Sequence, residues 1–200
     1  MSKSQMLAVS AAFGALFCSG AVAAQDASDI CEPDGACRYI ENYVFEGRDG
    51  ESFSVPVDAE LPWVVEGNVL LTPGEAVTVR LIETDGALQP QLVRSGDEAR
   101  NSELAEGEIL FDLGPHEAGT ITMTVKSAYP ALLEYAALAV TLNSGPARTS
   151  VCVLMPGVMV IETWQDPIYQ LAMWGFRPAE GHSCSVIDLD AEIAAGNASE

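Results

Sequence analysis

From Glu51 onward the apolar residues recur with a period of two. Val77, Val79 and Leu81 alternate with Thr78 and Arg80, and Ile121, Met123 and Val125 alternate with threonines. A pleated strand sends successive side chains to opposite faces, so this pattern predicts half-buried strands. The expected strands lie near 52–57, 67–72, 76–83, 108–113, 119–126, 136–142, 150–155, 158–164, 168–176 and 184–189. Turn formers stand between them: Arg48-Asp49-Gly50, Thr72-Pro73-Gly74, Asp85-Gly86, Gly114-Pro115 and Ser144-Gly145-Pro146. Short strands at this spacing predict an all-β chain, a disulfide-bonded antiparallel β-sandwich of immunoglobulin-like or jelly-roll-like type.

Three segments need separate treatment. Pro130 to Val140 also satisfies a helical face through Leu132, Leu133, Ala136, Ala137 and Val140, but Leu138, Val140 and Leu142 alternate and favour a strand in its second half. Residues 95–106 form the longest polar insertion and are expected to be a mobile loop. Val158 to Trp164 and Ile168 to Phe176 read as a hairpin closed by Gln165-Asp166-Pro167. That register sets Glu162 opposite Gln170 and collects Met159, Ile161, Leu171 and Met173 on a core face.

The N-terminus changes the picture. Lys3, the apolar stretch Met6 to Phe17 and the small residues Ala21-Val22-Ala23-Ala24 have the order of an export signal, residues 1–24. Phe17 before Cys18 is a poor match to a lipidation site. Residues 25–189 then form one sandwich domain and 190–200 a frayed acidic tail, with no membrane span after cleavage. The expected location is the periplasm or the exterior.

Charge comes next. The formal charge is −20, one unit more negative once Lys3 leaves, which repels nucleic acid and anionic membrane surfaces. It leaves an envelope protein or a glycan as the expected partner. Four cysteines follow the leader, and an even count in an exported chain predicts two disulfides with three possible connectivities, of which nearest pairing gives Cys31 to Cys37 and Cys152 to Cys184. Pro33-Asp34-Gly35 turns the chain between the first two, making an N-terminal clip. Loop-closure entropy assigns these bridges about 2 and about 4 kcal/mol.

Candidate chemistry is thin. The thiol spacing does not suit a four-thiolate metal site, and the two histidines, His116 and His182, each sit beside Gly or Pro in turn-like settings and read as surface residues. No HExxH pair, calcium-loop pattern or Gly-x-Ser-x-Gly elbow occurs, so neither metal nor cofactor nor a serine nucleophile is expected. Glu134 and Glu162 lie within apolar runs, where burial could turn a carboxyl into a general acid. Trp63, Trp164, Trp174 and Tyr169 could stack on sugars or fill the core.

Thr149-Ser150-Val151-Cys152, Pro156-Gly157, Glu162-Thr163-Trp164, Pro167-Ile168 and Phe176-Arg177 together resemble the C-terminal part of uncharacterised secreted, β-rich proteins from proteobacteria. Thr72-Pro73-Gly74-Glu75-Ala76-Val77 and Gly119-Thr120-Ile121-Thr122-Met123-Thr124-Val125 extend the resemblance, which spans Trp63 to Arg177 and implies no activity. Gln165-Asp166-Pro167 departs from the Pro-His-Pro-like element expected there. The reading is an exported, non-catalytic sandwich that binds a protein or surface partner in the cell envelope. The alternative is an acid-type, glycosidase-like hydrolase using Glu134, Glu162 or acids of the 97–108 segment. Intact mass of the exported protein should place its first residue within one or two positions of Gln25; a retained Met1 or a diacylglyceryl group on Cys18 would refute the leader.

Overall fold

The computed structural model describes residues 31, 37–46, 50–117, 119–141, 145–165, 167–182 and 184–186; the expected leader, most of the clip and the expected tail lie outside them. The strands are β1 (Cys37–Glu46), β2 (Ser52–Pro62), β3 (Val64–Val65), β4 (Asn68–Leu71), β5 (Ala76–Thr84) and β6 (Ala87–Ser95), followed by one short helix, α1 (Gly96–Asn101). Then come β7 (Glu108–Leu113), β8 (Ile121–Ser127), β9 (Leu133–Thr141), β10 (Gly145–Cys152), β11 (Met159–Trp164), β12 (Ile168–Pro178) and β13 (Cys184–Val186). A six-stranded sheet, β13-β10-β9-β12-β4-β3, packs on a five-stranded sheet, β11-β8-β7-β5-β6, while β1 and β2 form a two-stranded arm. Every pairing is antiparallel, and the fold is an all-β sandwich.

The alternation read from the sequence generates the core. Val77, Val79 and Leu81 of β5, Ile109, Phe111 and Leu113 of β7, and Ile121, Met123 and Val125 of β8 face inward. They meet Val69 and Leu71 of β4, Leu133, Tyr135, Ala137 and Ala139 of β9, and Leu171 and Met173 of β12. At the centre Phe111 lies edge-on to Tyr135 at 5.7 Å, and Tyr135 stacks on Phe176 at 5.9 Å between ring centroids. Three rings in mutual contact bury a large apolar area in a geometry that suits their quadrupoles.

Four expectations are corrected. Residues 133–141 are strand throughout, because inward Leu133 and Tyr135 continue the period of Ala137 and Ala139 back through the helix-like start. β6 is an additional strand, joined to β5 by Asp85-Gly86, both at positive φ as a two-residue hairpin turn requires. Pro90 in its middle disguised it, and a proline is tolerated there because β6 is an edge strand. The 95–106 segment is not a loose loop. Its helix buries Ala99 against Ala76 and Leu110, and Arg100 binds Asp112 at 3.0 Å and the Gly74 carbonyl at 2.6 Å.

The fourth correction is the 158–176 hairpin. β11 pairs with β8, setting Glu162 opposite Met123, whereas β12 crosses to the other sheet between β9 and β4, setting Gln170 opposite Val140. Leu171 and Met173 are core, but Met159 and Ile161 are 52% and 58% exposed. Both strands alternate cleanly, and alternation specifies two faces without specifying the neighbour, so in the sequence a short connector between sheets looks the same as a hairpin turn.

One ionic feature had no sequence signal. Glu108 is 1% exposed and accepts hydrogen bonds from Arg80 at 2.7 Å, from Arg94, and from the Ala105 N–H at 3.0 Å. Burial pushes its carboxyl up, but the Ala105 N–H and the two guanidiniums outweigh that, and it titrates below its usual value. Truncating the central ring tests the layering. Phe111→Ala should lose about 3–5 kcal/mol in urea unfolding, whereas Ile82→Ala at a half-exposed position should lose about 0.5 or less. Equal losses would contradict the core assignment.

Candidate functional site

Four of the nine exposed large apolar side chains among the described residues, Tyr39, Val44, Phe53 and Val55, stand on the arm. Its strands pair antiparallel, and the register Tyr43↔Val55 and Phe45↔Phe53 puts these four side chains on one face. A register shift between Ile40 and Asn42 bends the pair, with Asp58 at a φ of 51° on the opposite strand.

Two anchors fasten the arm to the sandwich. At one end Arg38 grips Glu75 with both faces of its fork, Nε to Oε1 at 2.8 Å and Nη2 to Oε2 at 2.9 Å. The same guanidinium donates to the Leu61, Pro62 and Leu70 carbonyls and lies 4.2 Å over the buried Trp63 ring. Glu75 in turn accepts from the Thr72 N–H at 2.7 Å. A fully engaged bidentate pair of this kind fixes geometry as well as adding energy. At the other end Phe45, 1% exposed, sits edge-on to His116 at 5.3 Å. The His116 Nε2–H donates to the Ile168 carbonyl at 2.7 Å. Tyr43 spans the middle, touching Tyr169 at 6.0 Å, and burial pushes its phenol up to about 12 despite the opposing charge of Arg38.

Between the anchors a cleft of about 500 Å³ separates β1 from the β4–β5 turn, lined among others by Tyr39, Glu41, Tyr43, Pro73 and Glu75. Tyr39 and Val44, which also line the cleft, remain exposed, as do Phe53 and Val55 on β2. Phe53 shares the face of buried Phe45 yet is 51% exposed, so β2 overhangs the body rather than lying on it. Glu41, Glu46, Asp58 and Glu60 are exposed around these apolar groups, and Tyr39 donates its hydroxyl to Asp58. The arm strands carry one cation, Arg38, already consumed by Glu75.

The residues singled out from the sequence scatter. The bridges are Cys31–Cys37 and Cys152–Cys184, the second joining directly opposed residues of β10 and β13. His116, expected at the surface, is 6% exposed because Phe45 and the Ile168 carbonyl cover it; His182 is exposed. Glu134 alternates with inward Leu133 and Tyr135, so it faces outward and pairs with Arg177. Glu162 alternates with exposed Ile161 and faces inward, its Oε1 accepting the Cys152 N–H at 2.9 Å. A sheet therefore separates the two carboxylates. Asp97 pairs with Arg100, and Glu108 is locked by arginines. Trp63 and Tyr169 lie at the arm, Trp164 donates to Thr149 between the sheets, and Trp174 stands opposite Ala136 on an outer face, so no shared platform forms.

No protein-family model, curated protein or solved structure matches the chain. Of the arm, β2 falls on the strand expected near 52–57, whereas β1 matches no expected element, although Tyr43-Val44-Phe45 precedes a turn signal.

Glu162 gives a pH-dependent test. Burial raises its carboxyl above the usual value, outweighing the Cys152 N–H that lowers it. A group raised in the folded state binds protons more readily there, so stability rises as pH falls through that value and the charged form is a burden at neutral pH. Glu162→Gln keeps an acceptor for Cys152 and removes the charge. Its urea midpoint at neutral pH should exceed that of the wild type, with the gap closing on acidification; a lower midpoint at neutral pH would contradict the assignment.

Proposed function

We propose that this is an exported, non-catalytic recognition protein whose β1–β2 arm docks a protein partner in the cell envelope. The observation that carries the reading is the arm itself. Large apolar side chains stand exposed on a strand pair anchored at both ends, where they add nothing to the core. Uncovered apolar surface rimmed by polar groups is the usual mark of an interaction site. The anchors matter to the reading because a pre-ordered arm loses little conformational freedom on binding.

The fringe of Glu41, Glu46, Asp58 and Glu60 defines the partner's chemistry: a surface with apolar side chains flanked by Lys or Arg. Charge complementarity of this kind speeds encounter and rejects acidic competitors. The two bridges favour an oxidising compartment, which supports the envelope as the place of meeting. A photo-crosslinking residue at Phe53, compared with one at Ile82 in producing cells, tests the proposal. Phe53 should yield a discrete adduct with an envelope protein, weakened in high salt, and Ile82 should not. Equal labelling at both sites, or none at Phe53, would overturn it.

A further inference from the structure

Among the described residues the sandwich ends in four edge strands, and three of them are protected against pairing. β3 has two residues, β13 has three and β6 carries Pro90. The fourth, β11, is a run of six, Met159-Val160-Ile161-Glu162-Thr163-Trp164, bonded to β8 on one side only. It contains no proline and no lysine, and its outward residues Met159 and Ile161 are among the most exposed large apolar side chains described. An open, apolar edge of this length is a template for another strand. Glu162, the one charge on β11, is turned inward onto the Cys152 N–H and does not project along the outer face.

The outer face is also unusual in charge. Thr122, Thr124 and Lys126 of β8 lie beside Thr163, Ile161 and Met159 of β11. In a chain with 29 acidic residues, this strip presents none. A second copy can therefore approach here without bringing carboxylates face to face, which is not true of the acid-fringed arm.

We propose that β11 is a self-association edge, across which two copies pair antiparallel about a two-fold axis normal to the sheet. The symmetry restricts the register. Opposed residues share a face, so outward odd-numbered positions must meet odd-numbered ones. Among such registers, the one with Ile161 opposite its own copy overlaps most of the strand and sets Met159 opposite Thr163. It also sets each Glu162 opposite Val160, whereas the register shifted toward the C-terminal end would set Glu162 against Glu162. Ile161 and Met159 of both copies then form one continuous apolar strip. None of the arm residues takes part in this edge, so self-association here is independent of partner docking on the arm.

Sedimentation equilibrium on the processed, oxidised protein tests it. The wild type should show a monomer–dimer equilibrium that tightens from low to physiological salt, because screening relieves the repulsion between two strongly acidic chains. Ile161→Lys should raise the dissociation constant at least about tenfold, with an unchanged urea midpoint at concentrations where both proteins are monomeric, and Ile82→Lys should not. Since all four mature cysteines are bridged, Ile161→Cys adds one free thiol, which should oxidise to a covalent dimer far faster than that of Ile82→Cys. A wild type that stays monomeric, an Ile161→Lys variant that dimerises like the wild type, or equal cross-linking of the two cysteine variants would each overturn the proposal.

Discussion

Everything in this molecule hangs on the contact between the two inward faces, with Phe111, Tyr135 and Phe176 at its centre. Each ring comes from a different strand, and each strand delivers its ring only if its whole register is correct. A slip of one residue on β9 would turn Tyr135 outward and bring Glu134 into the apolar layer. The alternation of inward apolar and outward polar residues therefore fixes the sheets as much as the backbone ladders do. The cost of error is high on both sides of the slip, since one face loses a ring and the other buries a charge.

Polar elements decorate this frame and decide where its periphery is rigid. Glu108 gathers two arginines beneath the start of β7, and Glu75 gathers Arg38 beneath the arm. In both places a carboxylate shielded from water is compensated by guanidinium and backbone N–H together, which is the condition under which such burial is tolerated. The two sites differ in what they hold. The Glu108 cluster joins neighbouring strands of one sheet, whereas the Glu75 cluster joins the arm to the body and so sets the orientation of the exposed Phe53 and Val44.

The strands of the sandwich were legible wherever one face was buried and the other wet, as in β5 and β8. Legibility failed where a second influence overrode the pattern. Pro90 hid β6, and a polar composition hid α1, whose single buried side chain, Ala99, is too small to announce itself. Val158 to Phe176 failed differently: the strands were found but their partners were not, because sequence proximity is no guide once a connector crosses from one sheet to the other. The pairing of Cys152 with Cys184 follows from nearest-neighbour counting and needs no hairpin, because β13 returns directly beside β10. Of the arm, which carries the candidate site, β2 falls on the expected strand 52–57, whereas β1 left only a turn signal and one apolar triplet, Tyr43-Val44-Phe45. Function at such a place depends on residues that the core does not need, and core periodicity is therefore silent about them.

The position of β12 has a consequence for how the chain reaches this state. It is the sole link between the β13-β10-β9 half of the six-stranded sheet and the β4-β3 half, yet it ends at Pro178. A chain emerging N-terminus first can close β5 on β6 and β7 on β8 early, but β4 must wait about a hundred residues for its neighbour. Until then β4 and β9 both present bare edges. The native sheet is thus completed late and nearly all at once, and the nascent protein is most exposed to mispairing just before its last strands arrive.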